Sequence, residues 1–143
     1  FIIHKMEEQL MYVSRVLSHW NTGEGAGLNP MRQIALAGIE LSPSVEQAVS
    51  QIEQFEGQKP RVVATAARSL DNSNLVTFRS LRDSFDQQPV LLLFGTGYGL
   101  TQAVLGAADS LLEPIKGVSS QDYRHLSVRS AVSICLDRLF GSW

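Results

Sequence analysis

Residues 90–100 read VLLLFGTGYGL, in which five apolar residues are followed by three glycines at alternate positions. Five consecutive apolar residues leave no solvated face, so the pattern predicts a central strand that is covered on both sides. Gly95, Gly97 and Gly99 would then lie at the carboxyl end of that strand, where open α/β sheets bind ligands. Glycine has no Cβ and lets backbone amides approach a ligand closely. For this loop alone, a ligand site and a tight strand-to-helix turn without a ligand stay equally open.

The composition is typical of a folded globular protein, with 143 residues of which 44% are hydrophobic and 18% charged. It predicts one domain over residues 1–143 and excludes a disordered chain.

No apolar run approaches the roughly 20 residues that cross a bilayer, so no membrane contact is expected. Cys135 is the only cysteine, which excludes an internal disulfide and paired-cysteine metal sites; a cytoplasmic protein without a metal is expected. The net charge of −2 argues against bulk electrostatic capture of nucleic acid.

The order of hydrophobic patterns predicts an α/β fold, a mostly parallel sheet flanked by helices. Ser42 or Ser44 is expected to cap one helix, and Gly57 to end it. Residues 21–30 contain three glycines and a closing Asn-Pro, which predicts a loop followed by a helical turn from Pro30. Strands are predicted at 1–4, 37–41, 61–66, 90–94 and 110–113, and the main helices at 6–20, 45–56, 78–85, 100–108 and 127–140.

In a parallel sheet, the loops that follow the strands lie on the same edge. Three of these loops carry distinctive residues: 64–68, 95–100, and 112–115 together with 123–130. Their convergence would form a small-molecule pocket from backbone amides and a few side chains. The GxGxG spacing lacks the third glycine of the Rossmann fingerprint, and Gly-Lys never occurs, which excludes a Walker loop. Classical dinucleotide and triphosphate binding are therefore not expected.

Three ordered motifs closely resemble the SPOUT superfamily of knotted RNA methyltransferases. They are FGTGYGL at 94–100, LEPI at 112–115 and YRHLSVRSAVSICLDRL at 123–139. The HW…NP segment at 19–30 and VATAAR at 63–68 are also similar to that family. The resemblance implies a SPOUT-like domain with a C-terminal trefoil knot, S-adenosylmethionine (SAM) as cofactor, structured RNA (tRNA or rRNA) as substrate, and a homodimer. Members usually begin with a further strand and helix, so an N-terminal strand-helix unit is expected to precede Phe1.

The resemblance also implies site residues. Arg68 and Arg129 are the candidates for catalysis, through contact with RNA near the methyl donor. For Arg129 the alternatives are a place across the dimer interface and an ion pair within the helix, and for Arg68 a solvent-facing place in its loop. For Glu113 the alternative is stabilisation of its loop. The candidate cofactor-binding residues are Thr65, Gly95, Thr96, Gly97, Gly99, Leu100, Leu112, Glu113, Ile115, Leu126 and Ser127.

Other side chains have simpler expectations. Ser127 is expected to cap the last helix, Cys135 to lie in the core, and His125 to brace a loop rather than act as a base. Tyr98 is expected either to stack on a base or to fill an interface. Because no residue is assigned as the catalytic base, a non-catalytic SAM- or RNA-binding module of the same fold stays open. A flavodoxin-like nucleotide-binding domain is a weaker alternative.

Overall fold

The computed structural model describes residues 1–67, 74–116 and 126–142. The chain divides into two compact units, Phe1–Gly57 and Gln58–Trp143, which are described separately below. The prediction of one domain over residues 1–143 stays a prediction. No helix in the described part of the chain is long and apolar enough to cross a membrane.

The first unit contains two short parallel strands and four helices. The strands β1 and β2 pair with each other, Ile2 opposite Leu41 and Ile3 opposite Ser42. In chain order the elements are β1 (Ile2–Ile3), α1 (Glu7–Asn21), α2 (Glu24–Leu28), α3 (Pro30–Ala37), β2 (Leu41–Ser42) and α4 (Val45–Glu56).

Two predictions for this unit are wrong. The expected loop at 21–30 contains helix α2, in which Gly25 is buried. A Cβ on Gly25 would lie 2.7 Å from the Trp20 ring, so close packing rather than a turn requires this glycine. The strand expected at 37–41 is shifted to β2, because Pro30 begins a helix that continues to Ala37.

Helix α4 begins and ends as its sequence predicts. The Ser44 side chain accepts a hydrogen bond from the Gln47 amide at 3.2 Å, so Ser44 rather than Ser42 is the N-cap. Gly57 ends the helix in the left-handed conformation at φ 71°, which glycine adopts without steric cost. Local hydrogen bonding therefore sets both ends of α4.

The second unit is a parallel sheet with helices, which confirms the predicted α/β class. Its strands lie in the order β4-β6-β3-β5, and every pairing is parallel. The two-residue strand β4 was not predicted, since two residues carry no periodic signal. The elements are β3 (Arg61–Ala64), β4 (Leu75–Val76), α5 (Phe78–Arg82), β5 (Val90–Leu93), α6 (Gln102–Ala107), β6 (Ser110–Leu112) and α7 (Val128–Phe140).

Strand β5 is not central, which corrects the expectation from its apolar run. Among the described strands it pairs with β3 alone and lies at the edge of the sheet. Both of its faces are nevertheless covered: Leu91 and Leu93 are buried, while Val90 and Leu92 pack against the core on the other face. The apolar run therefore indicates that both faces of the strand are covered. Helices that flank a sheet can cover both faces of an edge strand as well as those of a central one.

The core of the second unit joins the sheet to α5 and α7. Val63 and Leu112 contribute from the strands, and Leu81 and Cys135 from the two helices. Cys135 is 2% exposed, which confirms its predicted place in the core. This packing holds α7 against the strands whose carboxyl ends form the site described next.

Removing the α4 cap will cost stability. Ser44→Ala leaves the Gln47 amide without its side-chain acceptor, and we expect the free energy of unfolding to fall by about 1 kcal/mol. Urea unfolding followed by circular dichroism measures the change. Ser50→Ala is the matched control, because Ser50 lies within the same helix and bonds only to the Glu46 carbonyl. Equal losses in the two variants would contradict the capping role.

Candidate cofactor site

The three predicted loops meet because their strands end at the same level. Ala64, the last residue of β3, lies opposite Leu93 of β5 and opposite Leu111 of β6. The next residue, Thr65, donates two hydrogen bonds to the Leu93 carbonyl, from its amide at 3.0 Å and from its hydroxyl at 2.8 Å. The loop after β3 is thereby fixed to the end of β5.

The order of the strands opens a crevice at this edge. The chain passes from β5 through α6 to β6, which lies on the other side of β3. The loops after β5 and β6 therefore leave the sheet on either side of the loop after β3. In open α/β sheets, ligands bind outside the carboxyl ends of the strands, which is where these three loops lie.

A cavity of about 420 Å³ occupies this position. Its volume falls in the range of small-molecule sites, about 300–1,000 Å³. The structure brings nine of the eleven predicted cofactor-binding residues to its wall. They are Thr65, Gly95, Gly97, Gly99, Leu100, Leu112, Glu113, Ile115 and Leu126.

The other two candidates do not line the cavity. Thr96 lies in the glycine loop, where its carbonyl accepts a hydrogen bond from the Gly99 amide at 3.0 Å. Ser127 is the N-cap of α7, as predicted, and its hydroxyl accepts from the Ser130 amide at 3.2 Å. Both residues shape the backbone beside the cavity.

The glycine loop is a tight arch in which the three glycines have different roles. A Cβ on Gly95 would lie 2.3 Å from the carbonyl carbon of Gly99, so the loop closes on itself at this point. Gly97 and Gly99 have φ values of 54° and 88°, which L side chains rarely adopt, and a Cβ on either would meet nothing within 4 Å. Gly95 therefore permits close packing, and the other two permit the turn.

Glu113 holds the architecture of the site together. Its Oε1 accepts a hydrogen bond from the Phe78 amide at 2.8 Å, at the first residue of α5. The Glu113 amide in turn donates to the Val76 carbonyl at 2.8 Å. Glu113 thus joins the end of β6 to the β4–α5 junction while it lines the cavity. Stabilisation of the loop, the alternative weighed for this residue, is a role that the structure shows.

The two arginine candidates are placed differently. Arg129 is exposed on the first turn of α7, next to Val128, and does not itself line the cavity. Arg68 lies outside the described residues, as does His125.

Residues that the sequence reasoning missed form a further wall of the cavity. Val128, Ala131 and Cys135 line it from α7 at spacings of three and four residues, which place them on one helix face. The same spacing is typical of a helix face that packs in a core, which is the place predicted for Cys135. Burial raises the pKa of the Cys135 thiol, with Arg138 opposing the shift, so the thiol stays protonated and neutral at physiological pH.

The described part of the cavity wall carries little charge. Among the described residues, Glu113 is the only carboxylate that lines the cavity, and no lysine or arginine does so. The same part of the chain contains no group of three His, Cys, Asp or Glu side chains arranged to hold a metal ion. A ligand with apolar surface and no excess of negative charge is suited to this wall.

The fold and the cavity define a parallel α/β protein with a small-molecule site at the carboxyl edge of its sheet. The family model described as "SAM-dependent RNA methyltransferase" matches residues 1–141. The chain belongs to this family, which confirms the predicted class of protein and SAM as its cofactor.

Comparison with other proteins agrees with this assignment. Two bacterial proteins, each named tRNA (guanine-N(1)-)-methyltransferase, are similar over 99% of this chain: one from Oleidesulfovibrio alaskensis at 40% identity and one from Nitratidesulfovibrio vulgaris at 38%. The chain spans about a third of their length, 32% in each case. The structure of a probable methylase family protein from Haemophilus influenzae shares the fold, with a TM-score of 0.59 at 20% identity over 76% of this chain and 43% of that one.

Loss of the Glu113 carboxylate will destabilise the second unit. In Glu113→Ala the Phe78 amide loses its acceptor, and we expect the free energy of unfolding to fall by about 1–3 kcal/mol. Glu113→Gln retains a neutral acceptor oxygen and should lose less. Chemical denaturation without ligand measures both. Wild-type stability in Glu113→Ala would contradict the structural role of this side chain.

The glycine loop gives a second prediction, from a matched pair of variants. Gly95→Ala forces a methyl group into the backbone at Gly99, so we expect a loss of about 1–3 kcal/mol. Gly97→Ala meets no atom and is strained only by its positive φ, at about 1–2 kcal/mol. Thermal and urea unfolding compare the two. A Gly95→Ala protein as stable as wild type would show that the arch is not closed as described.

Proposed function

We propose that the cavity binds SAM and that the protein transfers its methyl group to RNA. The observation that carries the proposal is the meeting of the three motif loops around one cavity in a member of this family. Because the chain spans about a third of its curated relatives, the activity of the whole protein belongs to this proposal.

The wall of the cavity is suited to SAM in both shape and charge. SAM carries a flat adenine, which requires apolar surface, and a net positive charge from its sulfonium, ammonium and carboxylate groups. Leu100, Ile115 and Leu126 supply apolar side chains for the adenine, and Glu113 supplies the one carboxylate found among the described residues of the wall. Gly97 and Gly99 leave backbone groups without side chains beside them. The proposed binding residues are the nine predicted ones that line the cavity.

Methyl transfer makes modest chemical demands on the protein. When bound, SAM supplies an activated methyl group on a positively charged sulfur. The new bond to the RNA nucleophile forms as the carbon–sulfur bond breaks, and the nucleophile loses its proton. Loops held by Thr65 and Glu113 therefore contribute mainly by positioning and by excluding water. We propose that Arg129, exposed beside the cavity, contacts an RNA phosphate.

The substrate is RNA, with tRNA or rRNA as the proposed class. The curated relatives are named for methylation at N1 of guanine in tRNA, which favours a base nitrogen over a ribose 2′-hydroxyl as the acceptor. A base nitrogen such as N1 must lose a proton to a nearby acceptor. Glu113 is the only carboxylate on the described wall, and one of its oxygens accepts from the Phe78 amide.

Three finer features belong to the same proposal. The ordered motifs favour membership of the SPOUT superfamily and a C-terminal trefoil knot. A homodimer is favoured by α7, where Leu136 and Phe140 leave much of their apolar surface exposed. The substrate RNA would then contact both protomers.

A non-catalytic SAM- or RNA-binding module is the second candidate. It is favoured by the engagement of Glu113 in a backbone hydrogen bond. In that case the cavity holds SAM or RNA, and no methyl group is transferred.

The test combines binding with transfer. We expect calorimetry to show SAM binding by the wild type and tritiated SAM to label total RNA from a strain without the gene. Ala131→Leu places a larger side chain in the cavity wall and should weaken SAM binding at least about tenfold, or about 1.4 kcal/mol.

Ala103→Leu is the matched control, because Ala103 is exposed on α6 and does not line the cavity. Its affinity and transfer activity should equal those of the wild type. No SAM binding by the wild type, or unchanged affinity in a folded Ala131→Leu protein, would refute the site. Binding without transfer to any RNA would support the non-catalytic module.

A further inference from the structure

Tyr98 occupies an unusual position for an aromatic residue. Its side chain is 109% exposed, the highest value among the large hydrophobic side chains that the structure describes. The residue nevertheless lines the cavity. A fully exposed ring at the edge of a ligand site is accessible to a substrate that approaches the cavity.

The backbone at Tyr98 belongs to a turn that is fixed by a hydrogen bond and by close packing. Tyr98 follows Gly97 within the turn that the Gly99 amide closes on the Thr96 carbonyl at 3.0 Å. At the base of the same arch, Gly95 packs against the Gly99 backbone with no room for a Cβ. Because the backbone is already fixed, only the side-chain torsions of Tyr98 lose freedom when the ring binds a partner.

From this position we infer that Tyr98 is a positioning residue that stacks on an unpaired RNA base next to the cofactor cavity. The inference rests on the proposed function and adds to it the form of the substrate, a base that is unstacked from its neighbours. Aromatic side chains recognise unpaired bases through their π-faces, largely independently of base identity. The flanking residues Gly97 and Gly99 have no side chains that would hinder a base from lying on the ring.

The charges nearby are compatible with this partner. The only carboxylate on the described cavity wall, Glu113, is already engaged with the Phe78 amide. Arg129 is exposed on the first turn of α7. Ala131, two residues further along the same helix, lines the cavity. A second copy of the chain is the competing partner for the ring, and the test separates the two.

The test measures RNA binding by the full chain and three variants of Tyr98. The probe is a fluorescein-labelled single-stranded RNA of 12 nucleotides and mixed sequence, followed by anisotropy at 50 mM salt. Tyr98→Phe keeps the ring and should bind within about twofold of the wild type. Tyr98→Leu keeps apolar bulk without a π-face, and it should weaken binding about 5- to 100-fold, as should Tyr98→Ala.

A spectroscopic readout isolates stacking from any structural effect. An RNA that carries 2-aminopurine should lose emission on binding the wild type and Tyr98→Phe, and retain it with Tyr98→Leu. Because the ring is fully exposed, the unfolding transitions of all four proteins should coincide. Sedimentation velocity on the same proteins should show no change of oligomeric state.

The inference is overturned if Tyr98→Leu or Tyr98→Ala binds the RNA as the wild type does, or if the wild type does not bind it. It is equally overturned if Tyr98→Ala changes a dimer into a monomer, since the ring then belongs to an interface. SAM affinity, measured separately by calorimetry, reports on the proposed cofactor site. A protein that binds SAM while its RNA affinity is insensitive to Tyr98 would refute this inference alone.

Discussion

The parallel pairing of β3 with both β5 and β6 is the constraint on which the rest of the second unit depends. It is fixed from the amino ends of the strands, where the Arg61 amide donates to the Pro89 carbonyl before β5 at 2.8 Å. Toward β6, the Asp109 carboxylate accepts from the Val62 amide at 2.8 Å. Arg61 also donates to the Ser110 hydroxyl there, at 2.6 Å. Since the register is set at one edge, the three strands end together at the other. The loops that form the cavity therefore leave the sheet at the same edge.

Several residues serve the architecture and the cavity at once. Glu113 caps the amide at the start of α5 and lines the cavity, and Cys135 belongs both to the core and to the wall formed by α7. Gly95 is required by close backbone packing, yet it lies at the same wall. Substitutions at these positions are therefore expected to change stability and ligand binding together. Ala131 is better suited to separating the two properties, because it lines the cavity without belonging to the core cluster.

Much of the site could be predicted from sequence because strand-to-helix loops in a parallel sheet share an edge. The positions of Gly97, Glu113 and Leu126 at one cavity follow from that rule together with the ordered motifs. The contribution of α7 was missed because a helix face that lines a cavity has the same apolar spacing as one that packs in a core. Ala131 and Cys135 show both situations on a single helix.

The sequence by itself determined the alternation of strands and helices, the Ser127 cap and the glycine-rich turn. Each of these local features depends on hydrogen bonding or backbone freedom within a few residues. For α4 it limited the cap to Ser42 or Ser44. Tertiary structure decided which strand lies at the edge of the sheet and which amide Glu113 binds. It also decided that Gly25 belongs to a helix packed closely against Trp20. The first two features depend on partners far apart in the chain, and the third depends on how the successive helices α1 and α2 pack against each other. An apolar run indicates that a segment is buried, and a lone glycine can indicate that another group packs closely against the backbone. Only the folded chain determines which residues provide these contacts.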